Sequence, residues 1–252
     1  MEVLTEKQSE LNKRLKYEVV VKDRFFSIIS HDLISPFNSL LGMTQMMVLS
    51  ADAFSKEKFV DYARDINGTA ESVFDLMKNL LEWSQLQVKP GQVSAEVIDI
   101  EGLVDQCIGV LEPVALNKAV RLTNEVKNIS AFGDSNMIQT VLRNLIANSV
   151  KFSWSGGAVE VSSEMVGKMV QVTVMDAGIG MSKSQIRKIF VLDEKTSTFG
   201  TAGERGTGLG LPLCKNMVEL NGGHIWVESQ SGEGARFHFT IPAKPRGERL
   251  PG

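Results

Sequence analysis

Cysteine is scarce in this chain. Cys107 and Cys214 are the only two among 252 residues, and each falls in a segment with the apolar spacing of a helix. Two buried free thiols, rather than a disulfide, fit that placement and a reducing compartment. A basic surplus is also missing: 27 Lys and Arg stand against 30 Asp and Glu, a net charge of -3, with an isoelectric point near 5.7. That balance argues against broad nucleic-acid binding, which needs cations to neutralise phosphates. Apolar runs fall far short of the roughly 20 residues that span a bilayer, and no signal-peptide pattern precedes the first charges. The expectation is a soluble, cytoplasmic chain with no membrane segment, although a piece cut from a membrane-anchored parent would read the same. No cluster of His and Cys has the spacing of a metal site. What is present is ordinary for a globular protein, 43% hydrophobic and 23% charged, at a length that suggests two domains.

Residues 1–88 hold one proline (Pro36) and two glycines (Gly42, Gly68), and they read as helix throughout. Phe59, Ile66, Val73 and Leu80 recur every seven residues, as do Tyr62, Thr69, Leu76 and Trp83. Interleaved, they make the 3-4 seam that packs one helix on another. Phe26, Ile29, Leu33, Phe37, Leu40, Met43 and Met47 form a matching seam, and the polar turn 50–56 separates the two, with Ser55 placed to cap the second helix. Such a hairpin cannot cover its own seam, so a homodimeric four-helix bundle is the economical solution. Lys89-Pro90-Gly91-Gln92 breaks the pattern. Beyond it, strands are expected over 96–100, 119–126, 157–164, 169–175, 223–229 and 235–241, and helices over 101–117, 134–151, 182–190 and 208–221. That mixture predicts an α+β sandwich with helices on one face of a sheet. The stretch 191–207, rich in Thr, Ser and Gly, reads as a functional lid.

Four constellations carry chemistry. His31 stands two residues from each of Ile29 and Leu33, so its ring points away from the seam. A lone histidine there is ordinarily a solvated surface residue, but Asp32 adjoins it and Pro36 loosens the helix just beyond. An exposed imidazole in that setting suits a nucleophile. Asn144, Asn148 and Lys151, at spacings of four and three, share one helix face that ends at Phe152. Asp176-Ala177-Gly178-Ile179-Gly180 follows an apolar strand in the manner of a tight turn. Gly206-Thr207-Gly208-Leu209-Gly210-Leu211 opens a helix, where glycines free backbone N–H groups for phosphate oxygens.

In order and spacing these segments, with Phe190 closing Ile186-Arg187-Lys188-Ile189-Phe190, resemble the boxes of two-component sensor histidine kinases over roughly residues 15–243. Ser30-His31-Asp32-Leu33-Ile34-Ser35-Pro36 is similar to their phosphoacceptor box. The resemblance implies a multidomain protein: an all-α helical hairpin forming a dimeric four-helix bundle, then an α+β two-layer sandwich that binds ATP. Its parts would be an incoming signalling helix (1–20), a dimerisation and phosphotransfer hairpin (21–88), a linker (89–96), an ATP-binding catalytic domain (97–243) and a tail (244–252). His31 is then the phosphoacceptor, and Asp32 holds one ring nitrogen protonated. Asn148 ligates Mg²⁺, Lys151 neutralises phosphate charge, and Asp176 accepts the adenine amine. Asn144, Phe152, Gly178, Ile179, Gly180, Phe190, Gly206, Thr207, Gly208, Leu209, Gly210 and Leu211 complete the ATP-binding set. The implied reaction is ATP-dependent autophosphorylation, then transfer to an aspartate of a response-regulator receiver domain, in the cytoplasm or the cytoplasmic portion of a membrane-bound sensor. The sequence departs from the family pattern at a few places. Ile34 replaces a common basic residue, and Val191-Leu192-Asp193 replaces the usual continuation after Phe190. Ser35 stands where phosphatase-competent members use threonine or asparagine to orient water. Asn144 occupies the position at which gyrase-type ATPases place the glutamate that activates water.

Overall fold

A computed structural model describes residues 33–50, 53–88, 93–191, 198–204, 206 and 208–243, arranged in two compact units that divide between Glu82 and Trp83. His31, Asp32 and Thr207, and most of the first expected helix, lie outside the described residues. Among the described residues no helix is long and apolar enough to cross a membrane.

The first unit holds α1 (33–49) and all but the last residues of α2 (Lys56–Val88). The Ser55 hydroxyl accepts the Lys58 amide at 3.3 Å, the capping bond its position suggests. Along α2 the less exposed positions are Tyr62, Ile66, Thr69, Ser72, Val73, Leu76 and Leu80, which apart from Ser72 keep the expected spacing. On α1 they are Leu33, Pro36, Leu40, Met43 and Met47. Phe37, an expected seam residue, is 44% exposed because Pro36 takes the inward position and leaves the ring on the flank. Phe59 is likewise exposed, with the ring of Phe54 edge-on to it at 6.2 Å.

The second unit is an α/β sandwich. It contains β1 (Ala95–Asp99), α3 (Ile100–Asn117), β2 (Arg121–Asn124), β3 (Ser130–Asp134), α4 (Ser135–Phe152), β4 (Ala158–Val166), β5 (Met169–Asp176), α5 (Lys183–Ile186), α6 (Gly210–Leu220), β6 (Ile225–Ser229) and β7 (Ala235–Pro242). Five strands form one sheet in the order β2-β4-β5-β7-β6, antiparallel except for the parallel β2–β4 pair, while β1 and β3 pair separately. Alternation along the strands turns Val159, Val161, Val170, Val172, Val174, Phe237, Phe239 and Ile241 inward, and all are buried. From α4, Ile138, Val141, Leu142, Leu145 and Ile146 are buried completely, the apolar stripe of an amphipathic helix. Both cysteines are buried free thiols, as expected, and burial pushes the Cys107 thiol up to about 11, with Arg143 pulling the other way.

Two elements differ from the sequence expectation. Strand β3 was not expected, since Ser-Ala-Phe-Gly-Asp has little β-branched character. It is held by pairing with β1 and by the buried Asn221, whose Oδ1 accepts the Asp134 amide at 2.7 Å. The expected helix 182–190 is α-helical only over Lys183–Ile186. After the Ser182–Gln185 capping box starts it, the amides of Lys188 and Ile189 both return to the Gln185 carbonyl and Val191 to Lys188, so tight turns replace further α-helix.

Candidate functional site

The site is built around α4. Asp134 caps its start, with Oδ1 accepting the amides of Asn136 and Met137 at 3.1 Å and Oδ2 that of Ser94. With the apolar stripe sunk in the core, the opposite side of the helix leaves Asn144, Asn148, Lys151 and Phe152 half-buried on a shared edge. The Asn144 amide donates to the Thr140 carbonyl at 3.0 Å. The Asn148 side chain makes no hydrogen bond among the described residues. Lys151 Nζ sits 5.0 Å from the centre of the Phe152 ring, close enough for the cation to favour the ring face.

Asp176, at the end of β5, is buried. Its Oδ1 accepts the Gly178 amide at 2.9 Å and the Ala235 amide at 3.2 Å. Burial pushes its carboxyl above the ordinary range, opposed by the Gly178 amide, by Ser149 and by the Ala235 amide. Ser149 lies close enough to favour the charged form, yet its buried Oγ completes no hydrogen bond. Since both amides fall on Oδ1, Oδ2 is the oxygen left for an incoming donor.

Glycine at 178 and 180 is required by the protein's own backbone. A Cβ on Gly178 would lie 2.2 Å from the Phe152 carbonyl oxygen, and one on Gly180 would lie 1.9 Å from that of Gln230. Gly180 also has φ of +63°, the left-handed region that glycine tolerates. The turn is thereby pressed onto the end of α4, where the Ile179 amide donates to the Phe152 carbonyl at 3.2 Å. The resemblance places these glycines in the ATP-binding set; the contacts give a reason for them internal to the fold.

The glycine-rich box meets α4 at Asn144. A Cβ on Gly210 would stand 2.9 Å from Asn144 Oδ1, so the start of α6 packs close beside the asparagine face. Gly208 has φ of +73° and Leu209 is buried at the α6 N-cap. Phe190 is half-buried beside the buried Ile189. Ser35 is exposed on α1. His224 and His238 are structural: both stack on Trp226, at 5.8 and 5.1 Å between ring centres, and His238 Nδ1 pairs with Thr173 Oγ1.

Sequence reasoning missed three residues at the far end of α4. Lys118, 10% exposed in its side chain, donates to the Lys151 carbonyl and to Glu204 Oε1 at 2.7 Å. Thr201 donates its amide to the Lys151 carbonyl at 3.2 Å and its hydroxyl to the Ser153 carbonyl at 2.5 Å. Burial raises the Glu204 carboxyl, but the Lys118 bond and the amides of Glu204 and Ala202 outweigh it and hold the group below the usual glutamate value. These partners lie 33 to 86 residues apart, so no local pattern could announce them.

A buried aspartate beside a glycine turn, an asparagine-lysine helix face and a glycine-rich helix start, carried on one sheet, define an ATP-binding domain of the gyrase type. Residues 133–245 match the family of histidine kinase-, DNA gyrase B- and HSP90-like ATPases, and the relatives that align with most of the chain are histidine kinases. It is 30% identical over 231 residues to an uncharacterised sensor-like histidine kinase of Rhizobium meliloti, covering 90% of this chain and 44% of that protein. It is 31% identical over 234 residues to the cell-division control histidine kinase PdhS of Brucella suis, covering 88% of this chain and 22% of that protein. The chain thus spans less than half the length of these relatives. Among solved structures, the catalytic domain of the histidine kinase ThkA matches with a TM-score of 0.53 and 26% identity, over 62% of this chain and 99% of that one. ThkA in complex with the response regulator TrrA matches with a TM-score of 0.68 at 21% identity, over 87% of this chain and 61% of that one, a likeness of fold.

Proposed function

We propose that this chain is the kinase core of a two-component sensor histidine kinase, which transfers the γ-phosphoryl group of ATP to His31 and then to an aspartate of a response-regulator receiver domain. The observation that carries the reading is the half-open face of α4, where Asn144, Asn148 and Lys151 lie between Asp176 and the glycine-rich start of α6.

The residues fit nucleotide and metal. Asp176 offers an uncommitted carboxylate oxygen for the adenine amine. Lys151 and the N-terminal amides of α6 supply positive charge for the phosphates. Among the described residues no cluster of three His, Cys, Asp or Glu could hold a metal by itself, which suits magnesium, an ion commonly held by one or two protein oxygens together with substrate phosphates. Asn148, whose side chain makes no hydrogen bond among the described residues, is the residue placed to hold it. Bound there, the ion would offset charge on the phosphate oxygens.

In the reaction an imidazole nitrogen of His31 attacks the γ-phosphorus in line. The bond to the β-phosphate oxygen breaks, ADP leaves, and Asp32 keeps the other ring nitrogen protonated. Asn144 cannot serve as a base at neutral pH, so water lacks the activator that a glutamate would supply, and an external nucleophile is favoured. The resulting P–N bond is labile, which suits onward transfer. Residues 21–88 would pair in a homodimeric four-helix bundle, 89–96 would link it to the catalytic domain of 97–243, and the whole would work on the cytoplasmic side of the cell. The exposed apolar residues of α1 and α2 support the pairing. The likeness of fold to ThkA in complex with TrrA supports the receiver partner.

The test is incubation of the full chain with magnesium and γ-labelled ATP. An acid-labile, alkali-stable label that disappears in His31→Ala is expected. Binding of nucleotide with no label would make the protein a non-catalytic scaffold, and steady ATP turnover that survives His31→Ala would make it a hydrolytic clamp.

A further inference from the structure

The Lys151 and Phe152 carbonyls that end α4, and that of Ser153 just beyond, are all taken by other parts of the domain. Lys151 receives Lys118 and the Thr201 amide, Phe152 receives the Ile179 amide, and Ser153 receives the Thr201 hydroxyl. A helix C-terminus leaves such groups unsatisfied unless something supplies donors. Here the donors come from Lys118, from the turn after Asp176 and from segment 198–204, within the stretch read as a lid. That segment closes on itself: the Gly200 amide donates to the Glu204 carbonyl at 2.8 Å, the Gly203 amide to the Gly200 carbonyl at 3.0 Å, and the Ala202 amide to Glu204 Oε2 at 2.8 Å. Gly203 adopts φ of +83° to make the turn.

The small loop lies directly on Lys151. A Cβ on Gly200 would come within 2.7 Å of Lys151 Cγ and 2.3 Å of Glu204 Oε2, so the backbone approaches the lysine stem as only glycine permits. At the other end of the glycine-rich box, Gly210 packs against Asn144. The two anchor points, Lys151 and Asn144, are seven residues apart on α4, about 10 Å along the helix axis. The box that follows Glu204 is therefore tied down at both ends of the polar face.

We propose that Lys118, Thr201 and Glu204 form a clasp that positions segment 198–204 for the phosphate end of the nucleotide, with Lys118 and Glu204 as positioning residues for the transfer. The proposal rests on the nucleotide-binding reading above and adds residues to it. The physical reason is pre-organisation. A segment held before the nucleotide arrives needs no ordering on binding, whereas a loosened one carries that entropy cost into the affinity. The clasp acts on the Lys151 backbone and stem, while the Asp176 end is held by separate bonds from Ile179, Gly178 and Ala235. Its effect should therefore depend on the phosphates.

The experiment compares the full chain with Lys118→Met and Glu204→Gln, and with Lys118→Arg as the conservative variant. Affinity is measured for a magnesium-bound, non-hydrolysable ATP analogue and for adenosine, along with hydrogen exchange at the Thr201 amide and thermal melting. The expected result is faster exchange at Thr201, unchanged melting, and roughly tenfold weaker binding of the triphosphate, with adenosine within about twofold of the parent. Lys118→Arg should recover most of the triphosphate affinity, since a guanidinium can still donate to both acceptors. Equal losses for triphosphate and adenosine would reduce the clasp to general structural support and overturn the proposal. Faster exchange at Thr201 with unchanged affinities would overturn it too. If the parent chain binds neither compound, the nucleotide-binding reading itself fails.

Discussion

The two units of this chain solve the burial of apolar surface in opposite ways. In the sandwich, Val170, Val172, Val174, Phe239 and Ile241 are fully buried against helices of the same unit. In the helical pair, Leu41, Leu49, Phe74 and Leu81 remain 60–74% exposed, although the stripe through Val73 and Leu76 is buried. Exposed apolar residues of this size are what the proposed pairing of the helices would cover. The contrast teaches that the sandwich completes its core within one chain, whereas the helices carry a second apolar face that one chain leaves bare.

This comparison can be broken at several points. The largest expected effect is in the sandwich core: Ile146→Ala should lower its stability by about 2–5 kcal/mol, because the site is closed on all sides and cannot collapse. Denaturant unfolding would show it, and a loss under about 1 kcal/mol would mean the core is looser than its burial implies. Next is Asp176→Asn. Its amide oxygen can still accept from Gly178 and Ala235, but the second position gains donors where the ligand's amine needs an acceptor. Nucleotide affinity should drop by roughly ten- to a hundredfold, the weight of a hydrogen bond to a charged group, with melting little changed. Binding unaltered by calorimetry would remove Asp176 from the site.

On the helical side, Phe74→Ser should leave sandwich unfolding within about 0.5 kcal/mol of the parent, as for other exposed positions. It should nevertheless weaken self-association in sedimentation. A parent chain that is monomeric at every concentration would end the comparison as drawn. The smallest effect is in pH. Glu204 is held below its ordinary value, so its share of the clasp is present above the glutamate value of the unfolded chain and is lost as pH falls through its lower folded value. Asp176 runs the other way: with its value raised, stability drops as pH climbs from the ordinary aspartate value to the folded one. Exchange at Thr201 should quicken only on the acid side. Loss of protection already near neutrality would point to a different anchor.

Much of this was legible in the residues, for identifiable reasons. The seven-residue recurrence through Ile66, Val73 and Leu80 reports a helix face directly, because side chains at those spacings coincide in space. The spacing of Asn144, Asn148 and Lys151 likewise predicts the edge that the core leaves open. Short-range pattern failed where long-range contacts decide. Strand β3 exists because β1 and Asn221 hold it, and α5 is cut short by turns that its apolar spacing does not disclose. The clasp joins Lys118, Lys151 and Glu204, residues related only after folding.

The central claim is that phosphorus leaves the nucleotide for an imidazole rather than for water. Phosphorus NMR of the full chain incubated with magnesium ATP tests it most directly. A phosphoramidate resonance that is absent from both His31→Ala and Asn148→Ala is the predicted result. Accumulation of inorganic phosphate with no phosphoramidate at any time would contradict it.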